Sequence, residues 1–87
     1  MVSENISNNI KIYPNPTEGK VEIIIGGLKE KITGRVFDLR NKEYLRFEMD
    51  GTRGNAKQIN LSALPSGVYL ISIMGGSFTI VKKVVVL

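Results

Sequence analysis

The chain has 87 residues, 43% of them hydrophobic, with twelve basic against eight acidic side chains, a net charge of +4, and neither cysteine nor histidine. A chain of that length closes one hydrophobic core and has no material for a second. The missing residue types exclude a thiolate nucleophile, an imidazole base, a disulfide framework and the usual ligand sets for zinc and other transition metals, so neither catalysis nor a cofactor is expected.

The opening MVSENISNN is polar and lacks the basic start and apolar stretch of a signal peptide. Residues 1–9 therefore read as a linker remnant or a cloned start, and residues 10–87 as the domain itself. No segment approaches the ~20 consecutive apolar residues that span a bilayer. From Ile10 onward apolar residues recur at every second position in short runs broken by Gly, Asn, Pro and Ser, which predicts antiparallel strands and no helix.

The first strand, NIKIY, places Ile10 and Ile12 on one face. The stretch PNPTEG then turns the chain: Pro14 ends the strand, Asn15 is extended by the proline after it, Pro16 presets the next φ, and Gly19 releases the backbone. In KVEIIIGG, Val21, Ile23 and Ile25 share a face with Glu22 opposite. In KITGRVFDL, Ile32, Gly34 and Val36 share one face, and Arg35 and Phe37 the other.

DLRN predicts a reversal in which Asp38 caps its own turn and Asn41 takes a left-handed backbone. EYLRFEM then sends Leu45, Phe47 and Met49 inward and Tyr44, Arg46 and Glu48 outward. DGTRGN is a further turn: Asp50 and Asn55 bring oxygen atoms, but a calcium loop needs several more carboxylates at fixed offsets. KQINL offers Ile59 and Leu61 to the core.

GVYLISIM is apolar on both faces and predicts a central strand. The preceding LPSGVY fits a sandwich corner in which the Tyr69 hydroxyl bonds back to upstream backbone. Gly75-Gly76 suits a two-residue hairpin with both residues at positive φ. In SFTIVKKVVVL, Lys82 aligns with Phe78 and Ile80, so a bulge is expected to restore inward facing to Val84 and Val86. Seven short strands at this spacing predict an all-β fold, a small antiparallel sandwich of immunoglobulin-like type.

Basic residues are scattered, with Lys82-Lys83 as the one adjacent pair, which argues against nucleic acid. Glu22 and Glu48 lie on solvated faces rather than as a catalytic pair. Tyr13, Phe37 and Tyr44 are the aromatics left to stack on a sugar, so an alternative reading is a glycan-binding or adhesion module of an extracellular enzyme. An apolar terminal strand also invites edge pairing or a strand-swapped homodimer.

Taken in order, IYPNPTEGKVEI, VFDLRNK, INLSALPSGVYLISI and KKVVV together resemble the type A C-terminal sorting domain of the type IX secretion system, from Ile10 to the end of the chain. The resemblance implies a non-catalytic β-sandwich behind a larger cargo protein of Bacteroidetes. It further implies passage by way of the periplasm through an outer-membrane translocon, removal by a sortase-like surface protease, and release of the cargo or its attachment to anionic lipopolysaccharide at the cell surface.

By position, Pro14, Asn15, Pro16 and Gly19 match the family's first turn motif. Asp38, Asn41 and Lys42 match the middle motif, with Asn41 where glycine is usual. Leu61, Ser62, Leu64, Gly67 and Tyr69 match the third, with Asn60 where aspartate is common. Lys82, Lys83, Val84, Val85 and Val86 match the last and are the expected export-recognition residues, with Leu87 where a basic residue is common.

Overall fold

The computed structural model describes residues 10–26, 30–51 and 56–87. Seven strands follow one another: β1 (Ile10–Tyr13), β2 (Lys20–Ile25), β3 (Lys31–Asp38), β4 (Glu43–Asp50), β5 (Ala56–Asn60), β6 (Gly67–Met74) and β7 (Thr79–Val86). They form a three-stranded sheet in the order β1-β2-β5 and a four-stranded sheet in the order β4-β3-β6-β7, with every pairing antiparallel. No helix occurs among the described residues, and the expected small sandwich is the fold observed.

Period-two patterning explains the layering, because each strand sends alternate residues to one side. Val21, Ile23 and Ile25 of β2 and Ile59 of β5 are buried against Ile32 and Val36 of β3, Phe47 and Met49 of β4, Ile71 and Ile73 of β6, and Val84 and Val86 of β7. β6 runs between β3 and β7 and is the central strand that its two apolar faces predict.

Gly34 shares the inner face because the Phe47 ring from β4 occupies the space a side chain would need. The Tyr69 hydroxyl donates to the Pro65 carbonyl at 2.5 Å, so the phenol at the start of β6 is buried with its polar atom satisfied.

Three expectations are corrected. β7 carries no bulge: its register with β6 is unbroken from Thr79↔Met74 to Val86↔Gly67. Ile80, Lys82, Val84 and Val86 therefore lie on one face throughout, and Lys82 is half-buried there. A lysine can occupy such a position because its four-carbon stem lies along apolar surface.

The irregularity falls instead between β3 and β4, where Val36 faces Leu45 but Phe37 faces Glu43, leaving Tyr44 as the extra residue. That residue does not present a free ring to solvent. Tyr44 packs edge-on against Tyr69, with centroids 5.6 Å apart, and its hydroxyl donates to Asp38 Oδ2 at 3.1 Å.

The β6–β7 connection is the third correction. It spans four residues rather than two, closed by Gly75 N–H on the Phe78 carbonyl at 3.0 Å, and neither Gly75 nor Gly76 has positive φ. Glu30 reaches into this loop and accepts from Gly76 N–H at 2.6 Å, and half-buried Phe78 lies beside it against Gly75. Of the expected DGTRGN turn, residues 52–55 lie outside the described residues.

Candidate functional site: a turn stitched to the terminal strand

The turn at Pro14 to Gly19 is not an isolated corner. Leaving β1, it crosses from the three-stranded to the four-stranded sheet and lies along the outer edge of β7, where Thr17 forms a parallel bridge with Val86. Both X-Pro bonds in it, Tyr13–Pro14 and Asn15–Pro16, are cis.

Four hydrogen bonds make the seam. Asn15 Nδ2 donates to the Lys83 carbonyl at 2.9 Å, and Asn15 Oδ1 accepts from Val85 N–H at 3.0 Å. The Val85 carbonyl accepts from Thr17 N–H at 2.8 Å, and Leu87 N–H donates to the Thr17 carbonyl at 2.8 Å. The Asn15 amide thus stands in for one peptide unit of a neighbouring strand, and Thr17 supplies the next.

Thr17 was not singled out from the sequence, and it holds the loop together. The residue is 1% exposed. Its hydroxyl donates to the Lys20 carbonyl at 2.7 Å and accepts from Gly19 N–H at 3.0 Å, so the turn is closed on itself before it is docked. Gly19 sits at φ 150, and a Cβ there would come within 2.8 Å of Ser62 Cβ. This close approach, sealed by Leu61 N–H on the Gly19 carbonyl at 2.7 Å, is why the position requires glycine.

The third motif joins at the same end of the sandwich. Ser62 N–H donates to Asn60 Oδ1 at 2.9 Å, the role an aspartate could also fill. A cavity of about 590 Å³ there is lined by Pro14, Pro16, Gly19, Asn60, Ser62 and Leu87 among others. Residues from the first and third motifs, together with Leu87 just after the last, therefore border one depression.

The middle motif lies on the β3–β4 connection. Asn41 adopts φ 70, the left-handed backbone expected of it. Asp38 Oδ1 accepts from Arg40 N–H at 2.8 Å and Lys42 N–H at 3.0 Å. The Lys42 N–H bond leads the interactions that hold the Asp38 carboxyl below its ordinary range, helped by Arg40 N–H and the Tyr44 hydroxyl. The same contact holds the Tyr44 phenol above its own ordinary range. Leu64 is half-buried against the core beside this Tyr69 corner, and Gly67, at φ 154, opens β6.

The expected recognition residues separate by face. Val84 and Val86 are core, and Lys82 points the same way. Lys83 is exposed on the outer face, with half-buried Val85 beside it. The adjacent lysines therefore form no single basic patch. Among the described residues no group of His, Cys, Asp and Glu side chains could hold a metal ion.

A family model for secretion system C-terminal sorting domains matches residues 11–87. Among curated proteins none matches the chain.

Proposed function

Since the chain belongs to the type IX secretion system C-terminal sorting domains, we propose that it is the address of a larger cargo protein. In this reading it engages the outer-membrane translocon as a folded sandwich and is cut from its cargo by a sortase-like surface protease once outside. The family match over residues 11–87 carries this reading. A sorting tail implies a preceding cargo domain and export to the surface or beyond it. The recognition surface on this reading is the end of the sandwich where the Pro14–Gly19 turn is stitched to β7, with Lys83 as its exposed and Val85 as its half-buried side chain.

The test is a fusion of the whole chain behind a reporter that carries an export signal, expressed in a bacterium with this machinery. The reporter is expected outside the cell for the parent chain. Lys83→Glu, which alters one exposed side chain and leaves the core intact, is expected to lower export with an unchanged melting temperature. A parent fusion that stays in the periplasm would remove the sorting function.

A further inference from the structure

The terminal strand has two unlike halves along its outer edge. Between Lys83 and Leu87 the edge is occupied by Asn15 and Thr17. From Thr79 to Lys83 no strand lies alongside β7 among the described residues.

The direction of the remaining backbone groups follows from the register. Val85 turns both its N–H and its C=O away from β6, to Asn15 and Thr17. Because the β6–β7 register is unbroken, alternate residues of β7 point their backbone groups the same way. Val81 and Thr79 therefore direct N–H and C=O outward, and Lys83 N–H does likewise. Flanking these groups are the side chain of Val81, which is 51% exposed, and that of Lys83, which is exposed.

We infer that this open half-edge, Thr79 to Lys83, is a docking site for one extended segment of the export machinery, added to the four-stranded sheet as a fifth strand. The inference rests on the sorting function proposed above and names how that function is read. Exposed backbone groups at a sheet edge are a template for an added strand, with main-chain bonds supplying affinity and side chains supplying selectivity. The occupant's chemistry follows from its neighbours: an apolar residue opposite Val81 and an acidic one opposite Lys83. The segment continues the line that the Asn15 amide begins, and the loop fixes where it must stop. The edge is thereby shortened to a stretch too brief for long edge-to-edge association.

Proline separates backbone recognition from side-chain recognition here. Val81→Pro removes an N–H that β6 does not use, and a proline is compatible with an edge strand when its missing donor faces outward. The fusion described above is made as parent, Val81→Ala, Val81→Pro and Thr79→Pro. The proline variants are expected to melt within about 8 °C of the parent and to lose export by about two- to tenfold, the effect of one unmade hydrogen bond at a binding surface, while Val81→Ala is exported as the parent is.

A folded proline variant exported as well as the parent would overturn strand addition and leave the sorting function standing. A Val81→Ala defect as large as that of Val81→Pro would overturn it too, in favour of side-chain contact. Non-export of the parent removes both. A photo-crosslinking residue at position 81 reports without any proline: an adduct to an outer-membrane export component is expected, and an adduct only to a second copy of this chain overturns the assignment.

Discussion

Asn15 and Thr17 serve one seam by different means, and burial ranks them. The Asn15 bonds to Lys83 and Val85 are exposed, so water replaces much of what is lost on truncation. Asn15→Ala is expected to destabilise by about 0.5–1.5 kcal/mol. Thr17→Val keeps shape but strands a buried turn, leaving Gly19 N–H and the Lys20 carbonyl without their partner, and should cost about 1–3 kcal/mol. Chemical denaturation of the two variants checks the order. Reversed ranks would mean that the turn is held from outside rather than from within.

Asp38 gives the molecule an acid-sensitive turn. Its folded pKa lies below its ordinary value of 3.8, chiefly through Lys42 N–H, and Glu43 is likewise lowered, first by Arg46 and then by Arg35 at 2.8 Å. A depressed carboxyl stabilises the fold above its unfolded pKa and loses that contribution as pH falls through the folded one. The melting temperature is expected to drop below about pH 4. Asp38→Asn and Glu43→Gln together should flatten that drop, and a melting curve equally steep in the double variant would refute it.

At the scale of elements, β3 and β4 are fitted to each other at one point. Gly34 lies beneath the Phe47 ring, and a methyl group added there would overlap ring carbons. Gly34→Ala is expected to destabilise by about 1–3 kcal/mol by forcing the ring off its rotamer, and the paired change Gly34→Ala with Phe47→Leu should recover part of the loss. The β3–β4 bulge has a consequence of the same kind. By adding Tyr44 to β4 it turns an aromatic from solvent toward Tyr69, which removes from the exposed surface one of the three rings that a sugar-binding surface would have used.

For the whole molecule, the terminal strand belongs to the core as much as to any recognition surface. Removing Lys82 to Leu87 deletes buried Val84 and Val86, worth about 3–6 kcal/mol together, along with every β7 group the turn is bonded to. Set against a total stability of about 5–15 kcal/mol for a domain, the truncated chain is expected to lose its cooperative thermal transition, as circular dichroism would show. Export lost on truncation would then report unfolding, and single substitutions such as Lys83→Glu and Val81→Pro are the ones that probe recognition. A truncated chain that melts cooperatively near the parent would reverse that interpretation.

Alternation of apolar residues by itself determined seven strands, the inner faces of those before β7 and the central place of β6, because a strand's two sides are set by a local period of two. The DLRN turn and the Tyr69 corner were equally legible, since their hydrogen bonds close within six residues. What only the tertiary structure decided was everything that joins distant segments. The bonds from Asn15 to Lys83 and Val85 span 68 and 70 residues, and no local preference encodes which edge a turn will meet. The missing bulge in β7 and the bulge that re-aims Tyr44 follow from register, which the partner strand sets.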